Sequence, residues 1–332
     1  MTEIVTIPDG EAVPGNGAYR MSLTHYHTQD CCPGPSVSSS GLRRAWTEGL
    51  WAFWSQSDMN PNRYPPRDPS DALILGRAAH AMILGDEVFD DVFAYVPGDA
   101  PKRPTSTQVA AFEKNGFWSD AAKDGAAWWA EFDAKAAGRT LLTETQVGHI
   151  VNMAENLRRN PLAVQMLTGG MTEVSLIWQD EATGLWVKAR PDVLPDNGAD
   201  AADLKTFSRK GSNLAVSIQR GITDNGYAQQ MALAQEGTER VFGVSASEFV
   251  LVFVETAVPY EVVTVRLDEE ALHLARIKNR HALDQIARGL ETGEWSFRIP
   301  DLMNYTVPPS EAERIYTLQA AGELPSIERL TP

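Results

Sequence analysis

The stretch "VKARPDVLPDNGADAADLKT", residues 187–206, decides the fold. It begins as a β-type alternation, turns at Pro191-Asp192, crosses a loop of Asn, Gly and Ala, and resumes as a short strand in which Asp203 and Lys205 flank Leu204. Residues two apart on a strand share a face, so Asp203 and Lys205 are expected to project together. Asp192 joins them if the preceding strand lies alongside. Two carboxylates and the main-chain carbonyl of Leu204 make an oxygen-rich site for Mg²⁺ or Mn²⁺, and an ammonium beside them can orient a water or stabilise a phosphorane oxygen. Those are the groups that phosphodiester hydrolysis needs. By spacing alone the plain alternative is a surface ion pair next to a turn.

Outward from this stretch the pattern is mixed. "TEVSLIW", a turn at "DEATG" and "LWVKARPDVL" read as a hairpin, "ADLKT" as a third strand, and "EFVLVFVE" and "YEVVTVRL" as two more. Between and after them, "SNLAVSIQRGITDNGYAQQMALAQEG" and "DEEALHLARIKNRHALDQIARGLETG" carry helical periodicity. Upstream, "SVSSSGLRRAWTEGLWAFW" predicts one helix holding Trp46, Trp51 and Trp54, and Ser70 caps a second through "DALILGRAAHAMILG". "VFDDVFAYVP" is β-like, and residues 104–160 read as helices, with Thr143 capping the last. The expectation is an α/β chain with an irregular arm over 1–35, then a single domain over 36–332. Its parts are helices over about 36–170, a mixed-sheet core over about 171–300 and a helical tail over about 301–332.

The bulk composition sets limits. The chain has 332 residues, 43% of them hydrophobic and 22% charged, and a formal charge of −15 from 29 basic and 44 acidic side chains. Such acidity argues against a broad nucleic-acid-binding surface but does not constrain one lined channel. The two cysteines, Cys31 and Cys32, are adjacent, hence poorly placed to bridge each other, and too few for a four-cysteine iron–sulfur or zinc site. With no run of roughly 20 apolar residues and no signal-peptide pattern at the N-terminus, a cytoplasmic location with no membrane contact is expected.

The series Glu173, "RPDVLP", "ADLKT" and "YAQQMALA", with "SVSSSGLRRAW" and "LGRAAHAMILGDEVFDDVFAYVP" upstream, resembles the PD-(D/E)xK nuclease superfamily. Within it, the likeness is to the RecE-type exodeoxyribonuclease VIII group, over roughly residues 36–300. That resemblance implies a restriction-endonuclease-like core, a mixed β-sheet flanked by helices, with an α-helical N-terminal elaboration. It implies that Asp192 and Asp203, with the Leu204 carbonyl, ligate Mg²⁺ or Mn²⁺, that Lys205 positions the attacking water, and that His80 sits at the metal. Glu173, on the first core strand, takes a ligand or supporting role, while Tyr227 and Gln230 form a supporting Y-x-x-Q element, with Gln229 competing for the second place. The group often carries a Tyr where this chain has Ala234. Taken alone, His80 reads as a core histidine and Glu173 as a solvated edge carboxylate.

The same resemblance implies a metal-dependent exodeoxyribonuclease acting on linear double-stranded DNA from the 5′ end and leaving 3′ single-stranded tails. A ring-shaped homo-oligomer, a single-strand annealing recombinase as partner and a phage or prophage origin in a bacterial host come with it. Arg43 and Arg44, and Arg209 and Lys210, are basic pairs near these motifs and are expected to face DNA. Arg190, on the face of Asp192, is expected to meet either a phosphate or a carboxylate. Two alternatives stand beside this: a DNA-binding or assembly protein that has lost turnover, and a RecB-type or CRISPR-associated nuclease, which the missing cysteines and helicase motifs disfavour.

Overall fold

Period-two structure begins earlier in the chain than expected. The computed structural model describes residues 3–65, 68–85, 89–168, 170–195, 200–211, 213–244, 248–296 and 305–325. Residues 1–35, expected as an irregular arm, contain strands β1 (Ile4–Thr6) and β2 (Gly17–Arg20) and helix α1 (Leu23–His27), and β3 (Ser36–Ser38) follows directly. The helix expected to hold three tryptophans is two, α2 (Ser39–Thr47) and α3 (Leu50–Gln56), because Gly49 sits at φ 100°, a left-handed setting that no helix can include. Helix α4 (Asp71–Leu84) starts at its expected cap, where the Ser70 side chain accepts from the Leu73 N–H. Then come α5 (Phe89–Val92), β4 (Phe93–Val96), α6 (Ser106–Asn115), α7 (Asp120–Lys135), β5 (Thr140–Thr143), α8 (Glu144–Arg158) and α9 (Pro161–Thr168). Strand β5 interrupts the expected all-helical stretch and pairs in parallel with β4. Thr143 caps α8 through a reciprocal box with Gln146.

The remaining elements follow the expected order, but the single strand expected over "LWVKARPDVL" is two, Trp186–Ala189 and Val193–Pro195, in different sheets, and a short strand at Gly170–Thr172 precedes the hairpin. They are β6 (Gly170–Thr172), β7 (Ser175–Gln179), β8 (Trp186–Ala189), β9 (Val193–Pro195), β10 (Asp200–Phe207), α10 (Leu214–Asn225), α11 (Tyr227–Phe242), β11 (Glu248–Glu255), β12 (Val262–Arg266) and α12 (Glu269–Thr292). The Asn-Gly-Ala loop before β10, residues 196–199, lies outside the described residues.

Apart from the β4–β5 pair, the described strands form two five-stranded sheets, β1-β2-β7-β8-β3 and β12-β11-β10-β9-β6. In the second, β10 runs parallel to β11 and antiparallel to β9, so it is a mixed sheet. Alternate residues of β10 and β11 face opposite cores. Ala201, Phe249, Leu251 and Phe253 join the core that includes α11 and α12, whereas Ala202, Leu204, Val250, Val252 and Val254 pack with α4, α8 and α9. Burial on both faces explains why "FVLVFV" is unbroken by polar residues. Each such side chain contributes roughly 1.5–3 kcal/mol on leaving water.

The first sheet is also covered on both faces. Its second face is closed by the N-terminal segment, whose Ile7, Val13, Tyr19, Met21, Tyr26, Cys31 and Cys32 pack with Ile177 and Trp186. The segment is therefore a structural layer, and the compact unit runs from Met1 to Ser296. A second unit, Phe297–Pro332, contains the exposed helix α13 (Pro309–Ala320). Residues 301–304 and 326–332 of the expected tail lie outside the described residues. Among the described residues no helix is long and apolar enough to cross a membrane.

Candidate active site

Because strand residues alternate, Asp203 and Lys205 both leave β10 on the side of α11. Asp203 is fully buried. The Lys205 ammonium pairs with its Oδ2 and donates to Gln230 Oε1 at 3.1 Å, and the Gln230 amide donates to Asp203 Oδ1 at 2.9 Å, closing a three-membered loop of contacts. The Tyr227 ring lies one helical turn earlier on α11, its centroid 4.7 Å from Lys205 Nζ. Burial pulls the Lys205 pKa down, but the charges of Asp203 and Asp192 outweigh it and the net shift is upward. A lysine raised in the folded state contributes stability that is complete below its unfolded value, about 10.4, and is lost only as pH rises through the folded value. The pair is thus intact throughout the neutral range.

Asp192 occupies the bend between β8 and β9. Its Oδ2 accepts the Leu204 N–H at 2.6 Å, tying the bend to β10 beside Asp203, and lies 3.6 Å from His80 Nδ1. His80 reaches it from α4, which approaches β10 closely because residue 76 is glycine: a Cβ there would sit 2.9 Å from Thr206 Oγ1.

Glu173 is not on a strand, as expected, but at the joint between β6 and β7, with φ 56°. A left-handed setting costs a non-glycine residue about 1–3 kcal/mol and persists where its surroundings over-determine it. Here the Glu173 N–H donates to the Asp192 carbonyl at 3.1 Å, and its carboxylate accepts from Arg190 Nε at 2.5 Å. Arg190 also donates to the Met21 carbonyl at 3.2 Å, so of its two expected partners the structure shows the carboxylate.

Gln230, not Gln229, faces the site. Gln229 is buried against α12, donating to Asn279 Oδ1 at 3.1 Å while the Asn279 amide donates to the Gln229 carbonyl at 2.8 Å. This reciprocal pair fixes the rotation of α11 and so the aim of Gln230. Asn279→Ala leaves the buried Gln229 side-chain amide without its partner, and a loss of about 1–3 kcal/mol in unfolding free energy is expected by urea denaturation. Ala234, where the resembling group often has Tyr, is itself buried in the core.

These side chains border one cavity of about 660 Å³, reached by His80, Glu173, Arg190, Asp192, Lys205, Tyr227 and Gln230 and closed on its far side by α1, α2 and α4. Arg43 borders it, donating to the Asn225 carbonyl at 2.6 Å, and burial holds its pKa below the usual arginine value. Arg44 lines an adjoining cavity with His27 and Lys188 and pairs with Glu48 at 3.7 Å. Arg209 and Lys210 do not reach the site. Arg209 is held by Glu255 at 3.0 Å and Glu261 at 2.8 Å, which lift its pKa, and Lys210 bonds through its backbone to Ser217. Arg209 thus ties the end of β10 to the end of β11, away from this cavity. Tyr26, His27 and Arg77 also line the cavity and were not expected. For Tyr26 and His27, the one available signal is the Ser22 cap that starts α1.

The donor set fits a hard divalent cation. Among the described residues no three His, Cys, Asp or Glu side chains form a ready cluster, but Mg²⁺ commonly takes one or two carboxylates and completes its shell with water and substrate phosphate. Asp192 supplies one of these at the wall of the cavity, beside the His80 imidazole, and Asp203 lies buried just behind that wall, under Lys205 and Gln230.

Residues 56–299 match the family model of the PDDEXK-like domain of unknown function, DUF3799. No curated protein sequence matches the chain. Among solved structures, a candidate exonuclease from Eubacterium rectale is similar with a TM-score of 0.55, at 12% identity, over 88% of this chain and 98% of its own. A phage related exonuclease from Haemophilus somnus 129PT has a TM-score of 0.29 at 15% identity, over 58% of this chain and 92% of its own. For an alkaline exonuclease from Laribacter hongkongensis the figures are 0.26 and 16%, over 67% and 94%. The first likeness shows the fold, and the other two are too loose to add to it. The family match spans every strand of the second sheet, β7 and β8 of the first, and every one of Asp192, Asp203, Lys205 and Gln230, so the chain belongs to the PDDEXK-like family DUF3799.

Proposed function

We propose that this chain is a divalent-metal-dependent exodeoxyribonuclease acting on linear double-stranded DNA. The observation that carries this is the closed contact of Asp203, Lys205 and Gln230 beside Asp192 at the wall of an open cavity. Asp192 and Asp203 hold the cation, with the Leu204 carbonyl and His80 as further donors; Mg²⁺ suits the carboxylates and Mn²⁺ also suits the imidazole. When bound, the cation supplies Lewis-acid polarisation of the phosphoryl group and a more acidic water.

The chain's own residues do the rest. Lys205 stays cationic and presents its N–H groups to the reacting phosphate, where added negative charge is best met by a donor already in place. Gln230 holds both ends of the Lys205–Asp203 pair, and Tyr227 packs over the ammonium, so neither charge has to reorganise during the reaction. Arg190 with Glu173 braces the loop bearing Asp192. The acidity of the whole chain is no obstacle, because Arg43, Arg77, Arg190 and Lys205 border this one cavity against Glu173 and Asp192.

Digestion from the 5′ end, 3′ tails handed to a single-strand annealing recombinase, a ring of identical subunits and a phage or prophage origin complete the proposal. The likeness of the motifs to RecE-type exonucleases supports these. Duplexes labelled at either the 5′ or the 3′ end test it: the 5′ label is released first, only with Mg²⁺ or Mn²⁺. Release of the 3′ label first overturns the polarity, and no release of either overturns the activity. For Gln230→Leu, loss of two hydrogen bonds to charged groups is expected to lower kcat about 10- to 100-fold with little change in KM.

A further inference from the structure

Lys188 is a buried cation with no role in the proposed reaction. It leaves β8 on the face covered by the N-terminal segment and is 2% exposed. Its ammonium donates to the Tyr26 carbonyl at 2.8 Å and the Thr28 carbonyl at 2.9 Å, and its third contact is Cys31 Sγ at 3.4 Å. Among the described residues no carboxylate lies within ion-pair distance of it. A buried ammonium without an opposite charge costs several kcal/mol, so a group able to become anionic at that contact is strongly favoured to do so. Cys31 is that group, since burial pushes the neighbouring Tyr26 phenol up and keeps it neutral. Cys32 stands 3.8 Å away, sulfur to sulfur.

We propose that Cys31 and Cys32 form a peroxide-oxidisable dithiol in which Cys31 is the nucleophilic thiolate paired with Lys188 and Cys32 is the resolving thiol. The Cys32 hydrogen bond and the Lys188 charge, against the opposing effect of burial, draw the Cys31 thiol down to about 6, while Cys32 is pushed up. His25 also faces the pair, its ring held by the Glu11 carbonyl at 2.8 Å. In the thiol form Cys31 donates instead to the Thr28 carbonyl at 3.3 Å, so both protonation states have partners.

The Cys31 thiolate attacks one oxygen of a hydroperoxide. An S–O bond forms, the O–O bond breaks, and the hydroxide released takes a proton from solvent; sulfur gives two electrons to the peroxide. Cys32 then attacks the Cys31 sulfur, the S–S bond forms, the S–O bond breaks, and the departing oxygen leaves as water with the Cys32 proton. Cys31 has no exposed surface and does not line a cavity; Cys32, its sulfur 3.8 Å away, borders one of about 610 Å³, so the oxidant has to pass Cys32 to reach Cys31. Adjacent Cα atoms are about 3.8 Å apart, below the usual disulfide range, so the bond is strained and readily reduced, which makes the change reversible.

Oxidation removes the anion beside Lys188. The two carbonyls that Lys188 also holds dock α1 on β8, and α1 carries Tyr26 and His27 into the wall of the candidate active site, with Arg190 5.6 Å from the Tyr26 ring. A fall in nuclease activity on oxidation rests on the function proposed above; the thiol chemistry does not. Intact-mass and peptide-mass spectrometry of the folded full-length protein, treated with hydrogen peroxide and then alkylated, separates the two. The wild type is expected to lose two hydrogens and protect both thiols, reversibly with dithiothreitol. Cys32→Ser should stop at one added oxygen on Cys31 that dimedone traps, and Cys31→Ser should not react. Nuclease activity falls about tenfold with the disulfide and returns on reduction. Both thiols remaining open to alkylation at peroxide doses that oxidise methionine, or Cys32 reacting first, overturns the dithiol assignment. Full activity with the disulfide formed overturns its coupling to the site.

Discussion

Lys205→Ala is expected to lower the rate of nucleotide release from linear duplex DNA by about 10²–10⁴-fold, the range typical of losing a group that acts only in the transition state. KM should change little, because the role proposed for Lys205 is in the transition state and Arg43, Arg77 and Arg190 still border the cavity. The same change leaves Asp203, fully buried, without its cation. Removing one partner of a buried pair costs about 3–5 kcal/mol, so the variant should also unfold at lower urea in chelator. Divalent cation should restore part of that loss, since a metal ion satisfies the charge that Lys205 no longer meets. A fall in activity without recovery of stability on adding Mg²⁺ would place the metal elsewhere.

Asp203→Asn is the complementary test. The side chain keeps its shape but loses its charge, and about 10³-fold of activity is expected to go with it, because a carboxylate ligand to a catalytic cation is worth several kcal/mol of transition-state stabilisation. In the wild type the pair contributes stability that declines above about pH 10.4 as Lys205 deprotonates. With Asp203 neutral, burial works against Asp192 alone, Lys205 titrates lower, and that alkaline decline is smaller. Urea midpoints measured from pH 7 to pH 11 should therefore fall less for Asp203→Asn than for the wild type.

The parts of the site that were legible in the sequence are those set by local geometry. The two-residue spacing of Asp203 and Lys205 needs only a strand, and Ser70, Thr143 and the Tyr227–Gln230 interval need only a helix. What was not legible depends on partners far along the chain. Strands β1 and β2 have three and four residues, too short for alternation to register, and β2 is a strand because β7, more than 150 residues later, pairs with it. That Glu255 and Glu261 hold Arg209 is likewise set by residues far along the chain and shows in no local pattern. The choice between Gln229 and Gln230 is made by Asn279 on α12, which no pattern within α11 reveals.

The N-terminal segment changes the view of the site most. Expected as an arm, it covers one face of the first sheet and brings Tyr26 and His27 to the cavity. Deleting residues 1–35 should therefore expose Ile177 and Trp186 and destabilise the unit, not merely shorten it.

The most direct measurement compares wild-type protein on end-labelled linear duplex and on covalently closed circular duplex, each with Mg²⁺ and with chelator. Metal-dependent release of mononucleotide from the linear DNA, with the circle untouched, is the predicted result. Binding of both DNAs without release from either, at any divalent-ion concentration, would contradict it and leave the Asp203–Lys205–Gln230 contact as architecture without chemistry.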